Sequence, residues 1–175
     1  YTHEYILEET DRFNLSYHDM EVDTTVVNEM LSKTYDYHVL VVEDDPDVRY
    51  SLRKELSANF QVEVAGNEAL DLLGQGDAFH LILSDVLMPG MNGFQLVNRV
   101  KNDLAFSHIP IILLTALSED SQRIYGIAEG ADEYIPKPFN IDFLKIRIIN
   151  IIAERQKMKE IYMKNLQAGT MDNVE

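Results

Sequence analysis

The 175-residue sequence contains no cysteine and no tryptophan, and basic residues are outnumbered two to one by acidic ones. Without cysteine the chain can form neither a disulfide framework nor a thiolate metal site. With 15 Lys and Arg against 30 Asp and Glu, the net charge of −15 disfavours binding to nucleic acid or to an anionic membrane, because either polyanion is repelled. The expected partners are cations or basic surfaces.

Long apolar runs are missing as well. The longest, Ile109–Leu117, is far shorter than the roughly 20 residues that a helix needs to cross a bilayer. The first thirty residues are too acidic for a secretory signal. We therefore expect a cytoplasmic fragment without membrane contact. The sequence begins at Tyr1 rather than at Met, which indicates a piece of a longer protein and leaves room for a membrane anchor elsewhere in that protein.

The composition changes near residue 37. Residues 1–37 carry nine acids against two bases and no Gly or Pro, which is typical of a solvated, partly helical linker. Residues 38–157 have the composition of a folded domain. Residues 158–175 continue the spacing of the last helix, which favours a C-terminal extension that is either a connector, part of a coiled coil, or a frayed tail.

Within residues 38–157, short apolar runs alternate with stretches of helical spacing. The runs are 39–42, 62–65, 81–83, 109–114 and 134–135; the helical stretches are 47–59, 67–75, 93–103, 118–129 and 140 onward. Several runs are continuous and branched, as in parallel strands that are buried on both faces. The pattern predicts an α/β fold, a doubly wound five-stranded parallel sheet with five helices. In such sheets the site lies beyond the carboxyl ends of the strands.

Charged and polar residues follow these strands. Glu43, Asp44 and Asp45 end the first, Asp85 the third and Thr115 the fourth, and Lys137 follows the fifth. Two carboxylates about 4 Å apart repel by roughly 4 kcal/mol at an effective dielectric of 20, so a cluster of them needs a cation. Ligands that are all oxygen indicate Mg²⁺.

The same set suits phosphoryl chemistry. Asp85 stands alone at a central strand end before a turn, so it is the candidate nucleophile, and Lys137 and the Thr115 hydroxyl can offset the charge of an incoming phosphoryl group. Each residue also has a simpler interpretation: Asp85 as an ordinary strand-end residue, Thr115 as a helix-side cap and Lys137 as a solvated loop residue. For Asp45 and Asp47 we favour the simpler role, capping the following helix.

Four segments, Val41–Asp45, Leu83–Gly93, Leu114–Ala116 and Gly130–Phe139, resemble the motifs of response-regulator receiver domains, over residues 38–157. The resemblance implies a flavodoxin-like sheet with strand order 2-1-3-4-5. It also implies a phospho-acceptor with at most self-phosphorylation and self-dephosphorylation activity.

The resemblance assigns a role to each strand-end residue. Asp85 becomes the phospho-acceptor. Mg²⁺ binds Asp44, Asp85 and the backbone carbonyl of Leu87, and Glu43, in place of the commoner aspartate, acts through water.

The remaining roles concern phosphoryl contacts and switching. Thr115 and Lys137 contact the phosphoryl oxygens, and the Lys137–Pro138 peptide bond is cis. Thr115 and Tyr134 match the switch positions of the family, so phosphorylation is expected to alter the surface of the last two βα units, a possible homodimer face. For Tyr134, simple packing is the alternative.

The segments Ser107–Ala116 and Gly130–Asn140 are similar to receivers inside hybrid two-component sensors, in which a histidine kinase precedes the receiver and an AraC-type DNA-binding domain can follow. This implies a histidine kinase or phosphotransfer domain as partner, in the same chain or another, and a transcriptional output. His3 and His18 are expected to be solvated linker residues. The fragment has no helix-turn-helix, so we expect no nucleic acid to bind it.

Three other functions share this fold. A haloacid dehalogenase-type phosphatase needs a second aspartate two residues after the first, where this chain has Leu87. A flavin-binding module would have a phosphate loop where this chain has three acids. A pseudo-receiver that is never phosphorylated stays open, although the acceptor, acids, threonine and lysine are all present.

Overall fold

The computed structural model describes residues 24–74, 78–116 and 129–171 of the chain. The chain divides into two compact units, residues 1–30 and residues 31–175. In the described part of the first unit, the chain enters helix α1 (Thr24–Ser32). Within the described ranges, no helix combines the length and the apolar character that crossing a membrane requires.

Strands and helices alternate along the second unit. In chain order they are β1 (His38–Val42), α2 (Pro46–Leu56), β2 (Gln61–Ala65), α3 (Ala69–Gly74), β3 (Leu81–Asp85), α4 (Gly93–Lys101), β4 (Ile111–Thr115), β5 (Glu133–Pro136) and α5 (Ile141–Met171). Every pair of neighbouring strands is parallel, and the strand order is β2-β1-β3-β4-β5. The predicted doubly wound, flavodoxin-like sheet is confirmed. The helix predicted over 118–129 lies, apart from its last residue, outside the described residues.

The three central strands are buried along almost their whole length, which explains their continuous apolar sequences. On one face, alternate strand residues form a core cluster with α3 and α4; its members include Leu40, Ile82, Leu113, Leu73 and Leu96. The intervening strand residues point to the opposite face, where α2 and α5 supply further buried side chains, among them Leu52, Leu56, Leu144 and Ile148. The sheet is therefore the middle one of three layers.

The start of β4 and the end of α2 differ from the predicted bounds, because backbone hydrogen bonds there form turns. The fourth strand starts at Ile111 rather than Ile109, because the Ile109 N–H donates to the Phe106 carbonyl in a turn and Pro110 has no N–H for the sheet. The helix predicted over 47–59 ends at Leu56 with Ser57 as its C-cap, and the chain then tightens, since the Asn59 N–H donates three residues back to the Leu56 carbonyl (3.1 Å).

Within the second unit, Asn59 holds residues 31–37, which are part of the acidic leader. The Asn59 side chain is buried, and its Nδ2 donates to the carbonyls of Leu31 (2.8 Å) and Lys33 (2.7 Å). Beside it lie three aromatic rings, those of Tyr35, Tyr37 and Phe60. The chain is thus fixed just before β1 begins.

Candidate functional site

The carboxyl ends of β1 and β3 and the residue that follows β5 bring four charged side chains together. Carboxylate oxygens of Glu43, Asp44 and Asp85 all lie within 4.8 Å of one another. Lys137 Nζ lies 3.3 Å from Asp85 Oδ2 and 3.8 Å from Glu43 Oε2. Residues that are up to 94 positions apart in the sequence therefore form one cluster of three acids and one base.

Asp85 is the last residue of β3, a central strand of the sheet. Its side chain is 13% exposed, so it is largely enclosed yet open to solvent on one side. Oδ1 accepts a long hydrogen bond from the Leu87 N–H (3.4 Å), and Oδ2 accepts from Lys137 Nζ. The carboxylate is thus held from two sides while remaining accessible.

The loop after Asp85 returns tightly to the strand end because of two glycines. The Gly93 N–H donates to the Val86 carbonyl (2.9 Å), and a Cβ at Gly93 would lie only 2.5 Å from the Asp85 carbonyl oxygen. Gly90 has φ +83°, which favours glycine. Asn92 then caps α4 in a capping box with Gln95. The segment Met91-Asn92-Gly93 therefore fixes the start of α4 against the backbone of Asp85.

Glu43 is the most strongly perturbed acid of the cluster. Only 2% of the residue is exposed; its Oε1 accepts from the Asp45 N–H (3.1 Å). Its Oε2 is buried and, among the described residues, has no hydrogen-bond donor. Burial raises the pKa of Glu43 to about 7; the Asp45 N–H opposes the rise, and the Asp85 carboxylate adds to it. The cluster therefore holds more negative charge than the Lys137 ammonium balances.

These features fit a hard divalent cation. A buried carboxylate oxygen without a donor is the kind of atom that a cation satisfies, and the clustered ligands are all oxygens. Asp44 and Asp85 are half-buried, which leaves one side of the cluster open for water molecules, as Mg²⁺ requires. Leu87, whose carbonyl is the further predicted ligand, lies two residues after Asp85 in the same loop, and its side chain is exposed.

The acids that follow Asp44 have a different role. The Asp45 side chain accepts from the N–H groups of Asp47 (2.9 Å) and Val48 (3.3 Å) at the start of α2. The capping interpretation is confirmed for Asp45, whereas Asp47 lies in the first turn of the helix. Neither takes part in the acidic cluster.

Arg49 is a positioning residue that the sequence analysis missed. Its Nε donates to the Glu43 carbonyl (2.9 Å) and its Nη2 to the Asp44 carbonyl (3.2 Å). The guanidinium thus bridges two consecutive carbonyls and fixes the backbone that carries both acids. A base one turn into the helix after an acidic pair is its only sequence signal.

The predicted switch residues lie on the last two strands of the sheet. Thr115 is the last residue of β4 and is fully buried, and its carbonyl accepts from the Lys137 N–H (2.6 Å). Tyr134 is 5% exposed and pairs in register with Leu113. Since side chains two apart in a strand share a face, Thr115 and Tyr134 lie on the same face of the sheet. The Lys137–Pro138 peptide bond is cis.

Comparison with known proteins identifies relatives of this chain. Residues 39–149 match the model of the response regulator receiver domain. Histidine kinase P4 of Formosa agariphila is 35% identical over 139 residues, which cover 79% of this chain and 10% of that protein. Response regulator Rre1 of Synechocystis is 34% identical over 140 residues, which cover 72% of this chain and 60% of that protein. The chain thus spans less than two thirds of the length of either relative.

A solved structure shows the same architecture. The signal receiver domain of a signal transduction histidine kinase from Syntrophus aciditrophicus is 33% identical, with a TM-score of 0.63 over 67% of this chain and 91% of that one. The sheet order, the acidic cluster at its carboxyl edge and the match over residues 39–149 agree. The chain therefore belongs to the response regulator receiver domain family.

Proposed function

We propose that this receiver accepts a phosphoryl group on Asp85 within a two-component phosphorelay. The observation that carries the proposal is the placement of the half-buried Asp85 carboxylate 3.3 Å from Lys137 Nζ and beside the carboxylates of Glu43 and Asp44. A nucleophilic carboxylate needs an open approach and nearby positive charge for the incoming oxyanion. Asp85 lies at the solvent-accessible carboxyl end of β3, which leaves an approach for the phosphoryl group, and the Lys137 ammonium supplies the positive charge.

The donor is the phosphohistidine of a histidine kinase or phosphotransfer domain. An Asp85 carboxylate oxygen forms the new P–O bond as the P–N bond breaks, and the released imidazole nitrogen retains the electron pair and takes up a proton. The Lys137 ammonium offsets the charge of the phosphoryl oxygens, and the Thr115 hydroxyl donates to one of them. The product is an aspartyl phosphate at the end of β3.

Asp44 and Asp85, with the backbone carbonyl of Leu87, would hold Mg²⁺, and Glu43 would contribute through water. The donorless Oε2 of Glu43 and the mutual repulsion of the acids support this set. When bound, the ion offsets the charge of the carboxylates and of the phosphoryl oxygens. Arg49 keeps the backbone of the acidic pair in place through its two carbonyl contacts.

Thr115 and Tyr134 would couple phosphorylation to the surface of the last two βα units. A Thr115 hydroxyl drawn toward the phosphoryl group vacates space on the face that it shares with Tyr134, and the tyrosine ring responds to that space. The altered surface then binds a partner, with homodimerisation through this face as one form of output.

The larger context follows from the relatives. Histidine kinase P4 carries a match to this chain over a tenth of its length, which supports a receiver inside a hybrid sensor kinase. In that arrangement residues 1–37 link the kinase to the receiver of residues 38–157, and residues 158–175 lead to an output module that controls transcription. The fragment itself would bind no DNA.

Phosphorylation is tested with a small phosphodonor. The chain is incubated with MgCl₂ and acetyl phosphate, and intact mass is recorded for wild type, Asp85→Asn and Asp45→Asn. Asp45→Asn is the matched control, because asparagine caps a helix as well as aspartate does and Asp45 is outside the cluster. Wild type and control are expected to gain one phosphoryl group, and Asp85→Asn none.

Two results would contradict the proposal. A phosphoryl group retained by Asp85→Asn would place the acceptor elsewhere. A wild-type chain that is unmodified by acetyl phosphate and also fails to bind beryllofluoride with Mg²⁺, while remaining folded, would favour the pseudo-receiver.

A further inference from the structure

Helix α5 runs well beyond the sheet that it packs on. The helix has 31 residues, and its buried side chains, such as Ile148, end at Ile152. Just beyond it, Arg155 donates to the Asp132 carboxylate and the His108 carbonyl. From residue 153 to residue 169 every side chain is exposed. Because most helical stability in proteins comes from packing of an apolar face, a neighbour on this extension would stabilise it.

The extension carries an apolar stripe. Four large side chains remain substantially exposed: Met158 (62%), Ile161 (45%), Tyr162 (64%) and Leu166 (50%). At 3.6 residues per turn, Tyr162 and Leu166 continue the side of the helix that carries Leu144 and Ile148, and Met158 and Ile161 lie next to them. All four lie beyond Ile152, the last buried side chain of α5, so a second helix can contact the stripe there.

We propose that this stripe binds the same stripe of a second copy of the chain, in a parallel two-stranded coiled coil. In a heptad assignment Arg155, Tyr162 and Gly169 occupy position a, and Met158 and Asn165 occupy position d, so Met158 and Tyr162 form the apolar part of the seam. Ile161 at g and Leu166 at e widen the seam. The outward positions b, c and f hold mainly polar residues, namely Gln156, Lys157, Glu160, Lys164 and Gln167, with Met163 as the apolar exception.

Charge and shape favour a second copy in parallel orientation. A parallel pair sets residue g of one helix beside residue e of the next heptad in the other, which places Glu154 beside Lys159 and Ile161 beside Leu166. In an antiparallel pair, e positions lie beside e positions, so the Lys159 ammonium of one helix would lie against Leu166 of the other.

The area of contact limits the strength of this association. Two heptads bury much less than the roughly 800 Å² per partner of a standard stable interface. We therefore expect a dimer that depends on concentration. The stripe lies outside the acidic cluster and beyond Ile152, the last buried residue of α5, so dimerisation through it requires neither phosphorylation nor Asp85.

Because the chain has no cysteine, single cysteines report the orientation of the helices directly. Met158→Cys is compared with Lys157→Cys during mild oxidation of the full chain, without phosphodonor. Two seam positions in a parallel coil bring like Cα atoms within the roughly 4–7 Å that a disulfide spans, whereas two c positions point apart. Met158→Cys is expected to form disulfide dimers roughly tenfold faster than Lys157→Cys.

Sedimentation equilibrium supplies the second measurement, on Ile161→Lys and Met163→Lys. These neighbours have similar exposure, 45% and 50%, yet only Ile161 belongs to the seam. Ile161→Lys is expected to weaken dimerisation at least tenfold, while Met163→Lys and Asp85→Asn dimerise like wild type. A chain that is monomeric at all concentrations, equal effects of both lysines, or equal cross-linking at 157 and 158 would overturn the proposal. So would cross-linking between Leu166→Cys and Lys159→Cys chains in place of Met158→Cys dimers, the sign of an antiparallel pair.

Discussion

At the scale of single residues, Glu43 determines how the metal-free site behaves. Its carboxylate is almost fully buried, one oxygen has no donor among the described residues, and the nearest ammonium is 3.8 Å away. A buried charge without full compensation destabilises the fold unless a ligand supplies the missing partner. Glu43 is therefore expected to weaken the protein when no cation is present.

The substitution Glu43→Gln tests whether the buried carboxylate lowers stability in the absence of a cation. Glutamine keeps an oxygen for the Asp45 N–H and removes the charge that repels Asp85, so the metal-free variant is expected to be more stable at pH 8, by on the order of 1–2 kcal/mol. Its additional stabilisation by Mg²⁺ should be smaller than that of wild type. Urea unfolding in EDTA and in MgCl₂ measures both effects. Glu55→Gln, at an exposed position of α2, is the control; loss of stability in EDTA for Glu43→Gln would contradict the argument.

His80 makes the opposite edge of the sheet sensitive to acid. Its Nδ1 accepts from the His38 N–H (2.9 Å), which requires the neutral ring. Burial lowers the pKa of His80, the positive charge of His38 lowers it further, and Asp36 opposes the shift. Because the pKa is lower in the folded state, this stability is present above pH 6.5 and is lost as pH falls through the lowered value.

The matching variant is His80→Asn, whose Oδ1 can replace Nδ1 as acceptor without titrating. Wild type is expected to lose more stability than His80→Asn between pH 7 and pH 5.5, with the two being closer above pH 7. Urea midpoints across this pH range provide the measurement. Parallel curves for the two proteins would show that His80 does not carry the effect.

At the scale of elements, α4 depends on a close approach at its first residue. A Cβ at Gly93 would lie 2.5 Å from the Asp85 carbonyl oxygen and 2.9 Å from the Val86 Cα, both backbone atoms that cannot easily shift. Gly74, at the end of α3, would present its Cβ to open space, with nothing within 4 Å. The two glycines therefore form a matched pair.

Gly93→Ala is expected to lower the free energy of unfolding by about 1–3 kcal/mol or more, because the start of α4 must move away from β3. The same displacement should reduce phosphorylation of Asp85. Gly74→Ala is expected to be neutral or to stabilise by up to about 1 kcal/mol. Thermal unfolding and intact mass after acetyl phosphate treatment check both variants; equal stability losses would show that the close approach is not the cause.

The strands and helices also show which parts of the fold could be predicted from the sequence. Alternating apolar runs and helical spacing predicted the parallel sheet, because burial on both faces leaves a direct compositional mark. The end of α2 and the start of β4 were misplaced, because Asn59 and Ile109 are fixed by hydrogen bonds that no periodicity encodes. The role of Arg49 could not be predicted for the same reason. Its guanidinium binds backbone carbonyls, which every residue has, so no particular residue type marks the contact in the sequence.

At the scale of the whole molecule, the convergence of distant residues could be predicted because parallel strands end at one edge. The residues that follow β1, end β3 and follow β5 come together at the carboxyl ends of the strands, as that reasoning expects. The burial of Glu43 could not be predicted, since an acid after a strand has the same sequence signature whether solvated or enclosed. The role of Glu43 as a metal ligand and the role of Asp85 as the phospho-acceptor stay predictions, and the experiments above test them.

The net charge of −15 gives a final prediction, because it allows two kinds of stabilisation by cations. Diffuse screening of self-repulsion acts on the whole surface and depends on ionic strength, so KCl is expected to raise the melting temperature modestly. Binding of Mg²⁺ at the acidic cluster adds RT ln(1 + [Mg²⁺]/Kd), about 2.7 kcal/mol at a hundredfold excess over Kd. MgCl₂ should therefore stabilise wild type more than KCl of equal ionic strength. The variant Asp44→Asn is expected to lose this additional stabilisation by MgCl₂. Asp45→Asn is expected to retain it, since Asp45 lies outside the cluster. Equal stabilisation of wild type by the two salts would show that screening alone acts and would contradict a specific Mg²⁺ site.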